Sequence, residues 1–205
     1  MKSRHLSVAA VALLLFAGAA EAAAQGRRNS PLAAQAMHNF AICAANRSPR
    51  GAARLLAMDF RTEAYTQALR RFALGHNSCT ARRTSLRFSG SLFAGGLAEQ
   101  LLREPIGARP LALLVAHDPA RPAIEARDET EAMGLCTVRQ APAETQALLA
   151  TEPGSAQEAA AAAALTPAIT ACLTRGQAMR LNRAGMRALL ALAAYRLVRE
   201  SRPSS

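Results

Sequence analysis

The apolar positions along this chain fall at helical rather than strand spacing. Tyr65, Leu69 and Phe72 recur on one helical face, and Met186, Leu189, Leu190, Ala193 and Leu197 form a longer stripe near the end. The gaps between stripes carry helix punctuation. Ser48-Pro49, Ala141-Pro142 and Thr166-Pro167 each put proline at a first helical position, where its absent N–H removes no bond. Gly75 and Gly176 stand where helices stop, and Ser89 and Asn182 where a side-chain oxygen can accept an orphaned first-turn amide. The pattern predicts helices through Leu55-Leu56-Ala57, over Tyr65 to Phe72, over Ala156 to Ala164, around Cys172, and after Ser89 and Asn182. Gly95-Gly96 weakens the helix after Ser89 and fits a close helix crossing there.

The pattern also repeats. Moving the first half forward by 93 positions superposes Cys43 on Cys136 and Cys79 on Cys172, so both cysteine pairs are 36 residues apart. The same shift puts Pro49 on Pro142, Leu55-Leu56-Ala57 on Leu148-Leu149-Ala150, Arg82 on Arg175, Arg87 on Arg180 and Ser89 on Asn182. Alanine and leucine matches are cheap in a chain rich in both, but two cysteine pairs and a proline pair are not. The expected architecture is all-α, with two tandem disulfide-closed helical repeats packed with pseudo-twofold symmetry. Residues 25–104 form the first repeat and 130–200 the second, and 201–205 are a disordered tail. Between the repeats, 105–129 is a connector with four prolines and one apolar run, Leu111 to Ala116, and its composition predicts a largely irregular path.

The first residues change the picture by placing the chain outside the cytoplasm. Lys2 and Arg4 precede an apolar stretch from Leu6 to Ala20, and small residues lead to Ala24, which reads as a signal peptide over 1–24. That stretch is shorter than the roughly 20 residues a membrane span needs. The destination is the periplasm or the exterior of a Gram-negative cell. In that setting four cysteines are a disulfide framework, not a redox or zinc motif, and no Cys-x-x-Cys occurs. Three pairings are open to four cysteines; duplication of a module that once held only its own two favours Cys43–Cys79 and Cys136–Cys172.

The formal charge of +11 is large, yet beyond the signal every basic residue is arginine. Such a bias fits a GC-rich genome as well as it fits an anionic partner. The cluster Arg82, Arg83 and Arg87, partly repeated at Arg175 and Arg180 and extended by Arg183 and Arg187, is the candidate anion-binding face, since a guanidinium fork holds carboxylate or phosphate bidentately. The competing reading is that these side chains are solvated or cap helix carbonyls. His38, His76 and His117 fall in no metal-binding pattern, and His117-Asp118 reads as a turn. No nucleophile turn, phosphate loop or carboxylate pair stands out, and neither a metal nor a cofactor is expected.

Both repeats share a Cys, Pro, Leu-Leu-Ala, Cys, Arg order, and the second adds Cys172-Leu173-Thr174-Arg175-Gly176-Gln177 and Leu181-Asn182-Arg183-Ala184. In this the chain resembles a group of small secreted alphaproteobacterial proteins that are uncharacterised, and the resemblance implies no activity and no site residues. The expected role is an exported, non-enzymatic helical protein acting through interaction or in the cell envelope, with a protein or an anionic envelope component as partner. An Arg-rich binder of anionic surfaces is the second reading, and an enzyme whose residues assemble from distant positions the third. A concave pocket holding His or carboxylates would favour the enzyme.

Overall fold

The structure, a computed structural model, describes residues 31–80, 89–116, 118–119, 123–174 and 181–201. The signal peptide read over 1–24, residues 202–205 of the tail and His117 lie outside the described residues. Among those described there are ten α-helices and no strand. The first five are α1 (Pro31–Arg47), α2 (Pro49–Ala57), α3 (Glu63–Gly75), α4 (Gly90–Ala108) and the single turn α5 (Leu111–Leu114), with a 3₁₀ turn at Asn77–Cys79 after α3. The others are α6 (Glu129–Gln140), α7 (Pro142–Leu149), α8 (Ala156–Ala164), α9 (Thr166–Cys172) and α10 (Arg183–Glu200).

Local chemistry sets the helix starts. Pro49, Pro142 and Pro167 occupy first-turn positions as their spacing predicts. Thr62 caps α3 by accepting the Tyr65 amide at 3.1 Å, and Ser155 caps α8 by accepting the Glu158 amide at 3.0 Å. Asn182 caps α10 by accepting the Gly185 amide at 2.8 Å. Ser89 does stand at the start of α4, but its hydroxyl makes no cap bond and lies 3.4 Å from that of Ser91. Just before Ser155, Gly154 turns the chain at φ 84°, a left-handed conformation that side chains with a Cβ resist.

The connector is less irregular than its prolines imply. α4 runs through Pro105 to Ala108, so only Arg109 and Pro110 separate it from α5. Leu111 and Leu114 are buried, and the Leu111 amide donates to Gln146 Oε1 at 2.8 Å, docking this turn onto α7. The apolar run is therefore a helical turn plugged into the core.

α4 and α10 cross at the centre, with α1 laid along α4 and α6 along α10. Their closest approach is at Gly95, where a Cβ would fall 2.4 Å from the Ala188 Cβ and 2.5 Å from its Cα. Only glycine lets the two backbones meet so closely. α1 meets α4 at Ala41 and Gly96, and α6 meets α10 at Gly134 and Leu189. The first half adds an aromatic cluster, with Phe40 stacked on Phe93 at 5.0 Å and Phe72 at 6.3 Å. Burying a side chain like that of Phe93, which is fully enclosed, contributes roughly 1.5–3 kcal/mol.

Disulfides close both halves. Cys43–Cys79 ties α1 to the 3₁₀ turn, and Cys136–Cys172 ties α6 to the end of α9, each with Cα atoms 5.7 Å apart. No cysteine is free. Disulfides of this kind are compatible with an extracellular or periplasmic protein. Among the described residues no helix is long and apolar enough to cross a membrane.

Candidate functional site

Two clefts flank the α4–α10 crossing, and they differ in chemistry. The smaller, about 180 Å³, lies between α1, α4, α10 and the start of α8. α4 brings Glu99 to it, α8 brings Glu158, α10 brings Arg187 and α1 brings His38. Glu99, Glu158 and Arg187 are each no more than 4% exposed, so a charge here survives only if paired and hydrogen-bonded.

Arg187 meets that requirement in full. Nε donates to Glu99 Oε2 at 2.9 Å and Nη2 to Glu99 Oε1 at 2.6 Å, a bidentate pair. Nη1 donates to Glu158 Oε1 at 3.3 Å and to the Thr151 hydroxyl at 3.0 Å. The same two nitrogens reach the carbonyls of Leu148, Leu149 and Thr151 at 2.9–3.1 Å, satisfying the C-terminal end of α7. Burial works against the guanidinium charge, but Glu99 and Glu158 outweigh it, and its pKa is raised. Glu158 is fixed from its other oxygen too, which accepts the Gly154 amide at 2.8 Å.

His38 Nε2 sits 3.6 Å from Glu99 Oε1, with its side chain 12% exposed. Burial lowers its pKa below the ordinary histidine value, against the opposing pull of Glu99. A histidine, two carboxylates and an arginine thus do converge in a concavity. Yet both acids are engaged by Arg187, and among the described residues no serine, threonine or cysteine lines the cleft. The arrangement serves as a clasp joining α4, α7, α8 and α10, with the His38 imidazole beside it.

The larger cleft, about 500 Å³, lies on the other side of the crossing between α3, α4, α10 and the start of α6. Leu56, Phe60, Tyr65, Leu69, Leu189 and Leu192 make its walls largely apolar. Burial pushes the Tyr65 phenol up to about 12. Its charged groups gather at the α6 end. Glu131 Oε2 accepts the Arg127 amide at 2.7 Å and lies 2.6 Å from Arg196 Nη1, and Asp128 caps α6 through the Glu131 amide at 2.7 Å. Arg196 is further held by Glu200 and by the Glu125 carbonyl.

Arg127 is different. Among the described residues its guanidinium makes a single hydrogen bond, 3.3 Å to the Met58 carbonyl, lies 4.0 Å from the Glu131 carboxylate and covers the Phe60 ring at 5.5 Å.

The arginines singled out by sequence, Arg82, Arg83, Arg87, Arg175 and Arg180, lie outside the described residues. Of the two that extend that group, Arg183 is exposed, whereas Arg187 is buried in the clasp instead of being solvated. It does cap helix carbonyls, but those of α7 and not of the helix bearing the cysteine. Glu99, Glu158 and His38 were not singled out. The 93-residue shift carried a signal for two members of the clasp: Arg187 falls on Ala94 and Glu158 on Tyr65, both positions on buried helix faces. Among the described residues no group of three His, Cys, Asp or Glu side chains is placed to hold a metal. Comparison with known proteins finds no matching family model, no matching curated protein and no matching solved structure.

Proposed function

We propose that the chain is an exported, non-enzymatic binding protein made of two copies of one disulfide-closed helical module. The observation that carries the binding reading is the contrast between the clefts. The smaller has its buried acids locked on Arg187, and the larger has largely apolar walls with its acids at the α6 end, and is of a size within the ~300–1,000 Å³ usual for small-molecule sites.

Support for duplication comes from register. α2 and α7, α3 and α8, and α4 and α10 start 93 residues apart, and the caps Thr62 and Ser155 are separated by the same interval. Gly95 touches Ala188, its own counterpart under that shift, as contacts at a twofold axis do. The contact of Ala41 with Gly96 likewise corresponds to that of Gly134 with Leu189. The clefts correspond as well: Arg187, Glu158, Glu99 and His38 line one, and Ala94, Tyr65, Leu192 and Glu131 line the other.

The test is saturable binding of an anionic aromatic dye that reports apolar sites, 1-anilinonaphthalene-8-sulfonate, to the disulfide-intact protein. One site per chain is expected, abolished by Thr66→Trp, which puts a large ring on the exposed rim of the larger cleft. Unsaturable binding, or binding indifferent to this change, would defeat the reading. So would a hydrolytic activity that disappears in His38→Gln. The Arg-rich alternative instead requires binding to anionic vesicles that weakens steeply with salt and falls when Arg82, Arg83 and Arg87 become alanine.

A further inference from the structure

We infer that the larger cleft takes a single-chain amphiphile with one carboxylate head, its tail along the apolar wall and its head on Arg127. The inference rests on the cleft being a binding site and adds the ligand's chemistry.

Three facts select the head group. First, the Arg127 guanidinium has five N–H donors and among the described residues makes one long hydrogen bond, to the Met58 carbonyl. Arg187, in the other cleft, makes seven at 2.6–3.3 Å. A guanidinium placed over Phe60 with donors to spare is prepared for a planar, bidentate acceptor, which a carboxylate is. Second, the two acids nearby do not oppose such a ligand strongly. Asp128 is engaged as the α6 cap and Glu131 is matched by Arg196. Third, Arg70 is exposed on the same cleft with no ion pair or hydrogen bond among the described residues, so the rim favours an anion over a cation.

The wall selects the tail. Leu56, Leu69, Leu189 and Leu192 provide no directional partner, so a flexible alkyl chain fits as well as a ring. Burial pushes the Tyr65 phenol up to about 12, so it stays neutral and adds no charge to that wall.

The test is isothermal titration of the disulfide-intact protein with decanoate, decanol and decyltrimethylammonium, at fixed ionic strength and below micelle formation. Decanoate is expected to bind at one site, at least tenfold more tightly than decanol, with no binding of the cation; that ratio is the order expected for one charge-assisted pair. Arg127→Gln should bring decanoate down to the level of decanol and leave decanol unchanged. Arg127→Lys, which keeps the charge but not the fork, should lie between them. Circular dichroism of each variant confirms that the helices are intact. Equal affinity for decanoate and decanol would overturn the carboxylate assignment while leaving an apolar binding cleft. Binding of none of the three would overturn the cleft as a site altogether.

Discussion

Removing Arg187 is the sharpest test of how this fold is held. In Arg187→Met the side-chain volume is largely kept, but Glu99 and Glu158, both under 5% exposed, lose their counter-charge. The Leu148, Leu149 and Thr151 carbonyls at and just beyond the end of α7 each lose a donor at the same time. Removing one partner of a buried ion pair costs about 3–5 kcal/mol, against roughly 0–1 for a pair in solvent. Two stranded carboxylates put this variant in the upper part of that range, a large share of the ~5–15 kcal/mol that keeps a domain folded. Urea unfolding with disulfides intact measures it through the shift in midpoint at unchanged slope. The deficit should also depend on pH. Stranded and buried, Glu99 and Glu158 acquire pKa values above those of the unfolded chain, so the penalty is full at neutral pH and shrinks as acidification protonates them in the folded state. Converting both to glutamine alongside Arg187→Met should recover much of the loss, because no buried charge is then left alone. A loss below 1 kcal/mol, or one independent of pH between 7 and 5, would show that the clasp is ornamental and the reasoning wrong.

Other perturbations follow from particular contacts. Replacing Cys43 and Cys79 together by alanine should cost about 4 kcal/mol in the chain-entropy treatment of a 36-residue separation, read by the same unfolding assay. Gly95→Ala drives a Cβ into the Ala188 backbone and should cost at least 1–3 kcal/mol, whereas Gly107→Ala, with open space around it, should raise thermal stability by about 0.5–1 kcal/mol. His38 has a folded-state pKa below that of the unfolded chain, so the unfolded state takes up its proton first. Stability should then fall as pH drops from about 6.5 through the lowered value, and His38→Gln should flatten that part of the profile. Combining Glu99→Leu, Glu158→Tyr and Arg187→Ala gives the smaller cleft three of the four corresponding residues of the larger. It should raise decanol binding from one site per chain to two by titration, and unchanged stoichiometry would contradict the correspondence of the clefts.

The helix starts were legible because their causes are local. Proline at positions 49, 142 and 167 and the Asn182 cap act within one turn of themselves. The close crossing at Gly95 was legible for a similar reason: paired glycines in a helix need a compensating contact, and Ala188 supplies it. Pro105 misled because its cost is one hydrogen bond and a local clash, and here the helix still runs one turn beyond it. Ser89 misled because a good capping residue need not turn its hydroxyl to the helix. The clasp was hidden for a different reason. Glu99 and Glu158 are 88 and 29 residues from Arg187, and nothing in one residue's neighbourhood announces a partner that far away. Only the comparison of the halves exposes it, since an arginine in the place of a buried alanine is anomalous once the two are aligned.

That anomaly explains why the two clefts differ. At the Arg187 position the first half has Ala94, at Glu158 it has Tyr65, and at Glu99 the second half has Leu192. These residues are interdependent. An arginine buried without Glu99 and Glu158 is costly, and either acid buried without the arginine is costly too, so intermediate combinations are the unstable ones. The set is therefore expected to be present whole or absent whole. Where it is present, a guanidinium fills the space and bonds four helices into a rigid corner. Where it is absent, small and apolar side chains leave an open cleft, and the nearest arginine, Arg127, comes from the chain just before α6 and keeps its donors. On this reasoning one side of the α4–α10 crossing is committed to holding it together, and the proposed binding cleft occupies the other.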